Sequence, residues 1–211
     1  MPPSGCSRRQ PRRIMRPPRL NRGRSADKTT MRPLTSGESE SDDSRLRQIA
    51  AIGLVIGAVL GIAGTFVQSA SLRGVAWGID GTALVVASAL LAVHHVRRGD
   101  AVAAAGFLVF VAGEALVLSG AATTLEASAP SFAAGVALWA ASLVLVGASN
   151  TMPVWVRGVG FIGALLFGGV AVRMFAGAAL TPLSEPLPFF AYPFLAATLF
   201  GWAWVHYRGG A

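Results

Sequence analysis

The sequence predicts an all-α membrane protein, a polytopic bundle of six transmembrane helices with both termini in the cytoplasm. Of its 211 residues, 53% are hydrophobic and only 13% are charged, and the mean hydropathy is +0.56. A soluble domain carries about 25% charged residues, so this composition favours lipid as the solvent. From Gln48 onward, six apolar runs follow one another, and arginines are concentrated in alternate connections between them.

The first 46 residues differ from the rest of the chain and are predicted to be a disordered basic tail. Residues 1–32 hold ten Arg or Lys and one acid, whereas residues 33–211 hold eight Arg and nine acids. Because the basic charge belongs to the tail, no nucleic-acid-binding domain is predicted. A transit peptide, a polybasic segment attracted to anionic lipid, an idle tail and translation that starts at Met31 all fit this composition.

Each apolar run is close to the roughly 20 residues that cross about 30 Å of hydrocarbon. The runs are too long and too uniformly apolar for barrel strands, so helices are predicted. The predicted membrane domain covers residues 47–208, with helices at 48–69, 73–95, 101–121, 131–149, 154–177 and 188–207.

Small residues lie on one face of several runs, a pattern typical of closely packed membrane helices. The stripes are Gly53, Gly57 and Gly61; Gly74 and Gly78; Gly106, Gly113 and Gly120; and Gly160, Ala164 and Gly168. We expect them to pack within the chain. A partner helix or a homo-oligomer through Gly53, Gly57 and Gly61 is the alternative.

Tryptophan is predicted to anchor the helices at the membrane interfaces. The five tryptophans are Trp77, Trp139, Trp155, Trp202 and Trp204.

The distribution of arginine predicts the orientation, because positively charged short loops stay in the cytoplasm. One side holds Arg45, Arg47, Arg97, Arg98, Arg157 and Arg208, and the opposite side holds Arg73 and Arg173. Both termini are therefore predicted to be cytoplasmic. The scarcity of lysine and abundance of Ala, Gly and Arg are typical of a GC-rich bacterial genome, so the expected location is a bacterial inner (plasma) membrane.

Two pairs of segments resemble each other at a constant offset of 54 residues: Gly81–Ser88 with Gly135–Ser142, and Gly106–Phe107 with Gly160–Phe161. A duplicated helical hairpin, of the kind that some transporters contain, would produce this pattern. Chance matches between apolar segments of low complexity would produce it too.

Three charged residues inside apolar runs form the main candidate site: Asp80, Glu114 and Arg173. At 1.5 Å per residue, Asp80 and Glu114 lie roughly 10 Å below the outer interface, and Arg173, nearer the outer end of its run, can reach the same layer with its long side chain. Ionisable groups are costly in a membrane and mark candidate functional positions. Arg173 could neutralise one acid, which would make the layer structural. The acids could instead line an outward-facing, water-filled cavity that binds a proton or a cation, or Asp80 could cap a helix break between Gly78 and Gly81.

His94, His95 and His206 form a weaker candidate site on the cytoplasmic side. They approach one another if the second and sixth helices are neighbours, and three histidines can bind zinc or a haem iron. Adjacent histidines point about 100° apart on a helix, and interfacial histidine is common without any ligand. Cys6 is the only cysteine. No metal site, cofactor or disulfide is therefore predicted.

No motif of known chemistry is found in the sequence: no P-loop, no Gly-x-Ser-x-Gly, no His-Glu-x-x-His and no dinucleotide-binding fingerprint. The sequence favours a non-enzymatic structural or accessory membrane component, with the lipid bilayer as its partner. One alternative is a small proton- or cation-coupled transporter that uses Asp80 and Glu114. Another is a membrane enzyme or haem protein that uses the histidines.

Overall fold

The computed structural model of the chain is a bundle of six α-helices. It describes residues 36–121, 125–178 and 187–209, so the predicted tail up to residue 35 lies outside the described residues. The helices are α1 (Ser36–Phe66), α2 (Ala70–Arg97), α3 (Ala101–Ala121), α4 (Leu125–Ala148), α5 (Val154–Phe175) and α6 (Leu187–Arg208). The described residues contain no strand.

Helix α1 begins before the boundary that hydropathy indicates. Sequence analysis assigned residues 36–46 to the tail, whereas the structure includes them in α1. Between residues 38 and 52 no glycine or proline interrupts the helix. Polar residues such as Asp42 and Asp43 therefore continue the helix beyond its apolar part. Hydropathy indicates whether a segment lies in lipid or in water, but not whether its backbone is helical.

The helices form a closed ring. Each helix packs against the next one along the chain, and α6 returns to pack against α1. Side chains from different helices meet inside the ring and fill its interior. The largest apolar side chains that are fully buried there include Leu54, Leu91, Phe107, Phe110, Phe167 and Trp202.

The outer surface of the ring is apolar. On α1 alone, Ile49, Ile52, Val59 and Phe66 are about half exposed or more. Large continuous apolar surfaces mark contact with lipid or with another protein. Five helices, α1 to α5, are long and apolar enough to cross a membrane. The chain is therefore a multi-pass membrane protein.

Helix α6 is not among these five helices in the part of the chain that the structure describes. It has 22 residues. The structure thus confirms the helical membrane bundle, and the sixth span stays a prediction.

The glycines of α1 and α3 pack within the chain, as predicted. A β-carbon at Gly53 would lie 2.9 Å from Ala87 Cβ on α2, and one at Gly113 would lie 2.8 Å from Trp139 Cδ1 on α4. The stripe of Gly53, Gly57 and Gly61 is covered by α2 in this structure. The glycines let these helix backbones approach closely.

Other predicted packing positions are open. Nothing lies within 4 Å of a β-carbon built at Gly74, Gly78 or Gly168. The prediction that Gly74, Gly78 and Gly168 pack within the chain is therefore wrong. Gly74 and Gly78 lie on the face of α2 that points away from the ring's interior, which the spacing of small residues alone does not reveal.

Two of the five tryptophans are also placed differently from the prediction. Trp139 and Trp202 are only 4% and 1% exposed and lie in the bundle interior. Trp155 and Trp204 are about half exposed, which agrees with a position at the bundle surface. The prediction of interfacial anchoring is thus wrong for Trp139 and Trp202.

Candidate functional site

Two polar groups lie inside the bundle, near its opposite ends. The first surrounds a cavity of about 40 Å³, which we call the carboxyl cavity. Asp80 of α2, Glu114 of α3, Trp139 of α4 and Tyr192 of α6 supply its polar lining. Side chains of α1 complete the wall, so every helix except α5 contributes.

Glycines of α1 make the space that the Asp80 carboxyl group occupies. A β-carbon at Gly61 would lie 2.8 Å from Asp80 Oδ2, and one at Gly57 would lie 3.2 Å from Asp80 Oδ1. Contacts closer than about 3 Å are essentially forbidden for a real β-carbon. The α1 glycines therefore serve two purposes, since they allow close helix packing and they accommodate a carboxyl group between α1 and α2.

The two carboxyl groups lie close enough to interact electrostatically, and Tyr192 lies within the field of both. Glu114 is only 3% exposed. Asp80 Oδ1 and Trp139 Nε1 are buried and have no hydrogen-bond partner among the described residues. Buried polar atoms normally have hydrogen-bond partners, so unsatisfied atoms on two sides of one cavity indicate a binding site for a small polar ligand.

The three charged residues predicted to share a layer are only partly brought together. Asp80 and Glu114 line one cavity, but Arg173 is exposed in the last turn of α5. In the described chain no ion pair joins an arginine to either carboxyl group. The nearby Arg73 instead donates a hydrogen bond from Nη1 to the Val67 carbonyl oxygen, at 3.1 Å.

The second polar group is the histidine cluster, formed by His94, His95 and His206. All three residues are at most 1% exposed. The ring centroids lie 5.2 to 5.9 Å apart, and His95 Nε2 lies 3.1 Å from His206 Nε2. The rings meet across the bundle interior, although α2 and α6 are not neighbours in the ring.

Two acids and one arginine lie around the cluster. Asp43 Oδ1 lies 2.9 Å from His94 Nδ1, and Asp100 Oδ2 lies 3.7 Å from His95 Nδ1. Arg47 Nη1 donates to the His206 carbonyl oxygen at 3.2 Å. The carboxylates of Asp43 and Asp100 are 29% and 24% exposed, so both connect the cluster to the surface.

The geometry of the cluster does not match a metal site. Among the described residues, no group of three or more His, Cys, Asp or Glu side chains is arranged to hold a metal ion. The short contact between two Nε2 atoms is a hydrogen bond in which one ring donates to the other. The cluster is therefore organised by hydrogen bonds.

Aromatic rings fill the bundle between the histidine cluster and the carboxyl cavity. Adjacent rings lie 5.0 to 6.5 Å apart between centroids, in the order His95, Phe107, Trp202, Phe110, Trp139 and Tyr192. The two polar groups are separated by 14 residues of α2, or about 20 Å along the helix.

Sequence reasoning found Asp80, Glu114 and the three histidines as site residues. It missed Asp43, Arg47, Asp100, Trp139 and Tyr192. Asp43 was assigned to the tail, yet it lies four residues before Arg47, and this spacing places an acid and an arginine on one helix face. Asp100 lies in the short connection between α2 and α3. It accepts a hydrogen bond from the Ala103 N–H at 3.2 Å and so caps α3.

Comparison of the chain with models of known protein families, with curated proteins and with solved structures found no match.

Proposed function

We propose that this protein binds a proton or a monatomic cation in the carboxyl cavity and couples that binding to transport across the membrane. The observation that carries the proposal is a small cavity lined by two carboxyl groups, of which Glu114 is buried, without an arginine partner in the described residues. Two carboxylates in a low-dielectric interior repel each other unless a proton or a cation lies between them. The site thus favours uptake of one positive charge.

The size of the cavity limits what it can bind. Binding sites for organic molecules have volumes of roughly 300–1,000 Å³, far more than about 40 Å³. A cavity of this size accommodates a water molecule or two, or one desolvated monatomic cation. A proton or a small cation is therefore the class of ligand that fits.

The interpretation favoured by the sequence, a structural or accessory membrane component, depended on mutual neutralisation of the three charges. The exposed position of Arg173 removes the main support for that interpretation. The described residues offer no group of three or more side chains that could hold a metal ion at the histidines.

The proposed setting is a bacterial plasma membrane, with α6 as a sixth span and both termini in the cytoplasm. Concentration of arginine at the end of the bundle that holds the histidine cluster supports this orientation. The carboxyl cavity then lies near the outer face of the membrane.

The test combines chemical modification with a flux assay. Dicyclohexylcarbodiimide enters membranes and modifies protonated carboxyl groups, and mass spectrometry identifies the modified residue. We expect modification at Asp80 or Glu114. Alkaline pH should suppress the modification if the ligand is a proton, and Na⁺ should suppress it if the ligand is a cation. In liposomes, we expect flux of the same ion, lost in Asp80→Asn and in Glu114→Gln.

A matched control is Asp42→Asn, which changes an exposed acid near the other end of the bundle. This variant should retain both modification and flux. If the folded wild-type protein resists the reagent at every pH and carries no ion flux, the carboxyl groups are structural and the transport proposal fails.

A further inference from the structure

The polar residues that line the carboxyl cavity differ in whether they donate or accept hydrogen bonds. Asp80 and Glu114 supply carboxyl oxygens, and Tyr192 supplies a hydroxyl group. The indole Nε1–H of Trp139 only donates. It is buried without a partner in the described part of the chain, and so is Asp80 Oδ1, which accepts when the carboxyl group is ionised. The cavity therefore presents one unpaired donor and one unpaired acceptor to its ligand.

A ligand that satisfies both atoms must itself accept one hydrogen bond and donate another. A bare metal cation attracts Asp80 Oδ1, but it is repelled by the Trp139 N–H, whose hydrogen carries a partial positive charge. A water molecule accepts from Trp139 and donates to Asp80, and a cavity of about 40 Å³ has room for it. The donor and acceptor together thus favour water over a metal ion as the direct neighbour of Trp139.

The cavity also supplies few oxygen atoms. Cations such as Ca²⁺ and Mg²⁺ are held by about six or more oxygen ligands. Asp80, Glu114 and Tyr192 together offer at most five side-chain oxygens. The remaining lining residues are apolar: Gly57, Ala58, Gly61, Ile62, Leu84, Leu195, Ala196 and Leu199. A coordination shell for such an ion is therefore incomplete.

The charges around the cavity come from two residues alone. Helix α1 lines it with glycine, alanine and isoleucine, α4 with Trp139, and α6 with Tyr192 and aliphatic side chains. Among these lining residues there is no Arg, Lys or His, and Asp80 of α2 and Glu114 of α3 are the only acids. One shared proton removes the repulsion between two neighbouring carboxylates and needs no coordination shell. The composition of the wall thus favours a proton.

We propose that the carboxyl cavity takes up protons and excludes metal cations, and that Trp139 determines this specificity by holding one water molecule between its Nε1–H and Asp80 Oδ1. This inference rests on the proposed function and selects one of its two ligands. When a hydronium ion enters, one of its O–H bonds breaks as a carboxylate oxygen forms an O–H bond. The remaining neutral water stays between Trp139 and Asp80.

The test is nuclear magnetic resonance of the full chain in lipid nanodiscs, with ¹⁵N-labelled tryptophan. Five tryptophans give five indole signals, and Trp139→Phe, which keeps an aromatic ring, identifies one of them. We expect magnetisation transfer from water to the Trp139 indole proton, and a shift of this signal when the pH changes. At constant pH and ionic strength, replacing choline with Na⁺, K⁺ or Mg²⁺ should leave the signal unchanged.

Trp155 provides the control, because it is about half exposed at the bundle surface. Its indole signal reports any general effect of salt. A saturable shift of the Trp139 signal with one of these metal ions, but not of the Trp155 signal, overturns the proposal. Absence of transfer from water in the folded protein overturns it too. If Trp139→Phe does not fold, single substitution of the other four tryptophans assigns the signal by elimination.

Flux in liposomes separates this proposal from the proposed function. We expect proton flux that is the same with and without Na⁺, and no Na⁺ flux. Trp139→Phe should lower proton flux about tenfold, since it removes one buried hydrogen bond to the water, whereas Trp155→Phe should not. Unchanged proton flux in Trp139→Phe contradicts the role of Trp139. Na⁺ flux overturns this inference but not the proposed function. If no ion crosses while the Trp139 signal behaves as expected, transport fails and the selectivity of the cavity stands.

Discussion

At Gly61, the absence of a side chain makes room for the Asp80 carboxyl group. An alanine there would bring its β-carbon to 2.8 Å from Asp80 Oδ2. We expect Gly61→Ala to lower the free energy of unfolding by about 1–3 kcal/mol, because overpacking a close contact displaces its neighbours. For a chain of this length this is a fall in melting temperature of several degrees, roughly 2–4 °C per kcal/mol. Thermal unfolding of the purified protein in detergent measures it.

Gly74→Ala is the matched control, since a β-carbon at Gly74 meets nothing within 4 Å. Alanine favours helix over glycine, so this variant should melt at the same temperature or higher. Adding Asp80→Ala to Gly61→Ala should remove most of the penalty, because the two sites are coupled. Equal melting temperatures for Gly61→Ala and Gly74→Ala would contradict the position of the Asp80 side chain.

For single residues, sequence predicts depth in the membrane better than direction around the helix. Asp80 and Glu114 lie in one layer as expected, since the helical rise of 1.5 Å per residue fixes their depth. Arg173 was placed near the same depth but lies on an exposed surface. A membrane helix is apolar on its lipid face as well as its buried face, so the usual amphipathic signal for the direction of a side chain is weak.

At the scale of secondary-structure elements, the first turns of α1 make a contact that hydropathy does not indicate. Asp43 accepts a hydrogen bond from His94 across 51 residues of sequence. We expect Asp43→Ala to reduce the free energy of unfolding by about 1–3 kcal/mol, because the buried Nδ1–H of His94 loses its acceptor. Circular dichroism during thermal unfolding would record the change.

Asp42→Ala removes the neighbouring acid, which is exposed, and should have little effect. Asp43→Asn keeps an acceptor oxygen and should fall between wild type and Asp43→Ala. If Asp43→Ala and Asp42→Ala melt at the same temperature, the first turns of α1 do not pack as the structure has them.

At the scale of the whole molecule, a ring of six helices in which all span the membrane places both chain ends on one side. In a Cys6→Ser background, single cysteines at the exposed positions 45, 173 and 208 test this arrangement with a membrane-impermeant maleimide. In intact cells, we expect labelling at position 173 only. After lysis, all three positions should react.

Labelling of positions 45 and 208 from opposite sides would mean five spans, with α6 not crossing the membrane. Labelling of 45 and 208, but not 173, in intact cells would mean six spans in the inverted orientation. Positions 45 and 208 both replace exposed arginines, so they serve as matched reporters of the two chain ends.

The internal resemblance between segments stays a prediction. A duplication would pair α2 with α4 and α3 with α5, yet Gly81 packs against Leu118 of the following helix and Gly135 against Val117 of the preceding one, so these two contacts are not equivalent. Ser88 and Ser142, the equivalent ends of the two segments, are fully buried. Phe107 and Phe161 differ, however, since Phe107 is buried and Phe161 is 37% exposed. Sequence predicts such similarity but not which copies keep an equivalent environment.

The closure of the ring by α6 has a consequence for how the chain is made. Helices enter the membrane in order as the ribosome synthesises them. The hydrogen bond between His95 and His206 therefore cannot form until another 111 residues have been made. Until α6 arrives, the buried imidazoles of α2 and the cavity wall formed by α1 to α4 face an incomplete interior. A chain that stops before α6 thus exposes polar groups that membrane quality-control proteases can recognise, and the last helix completes both sites at once.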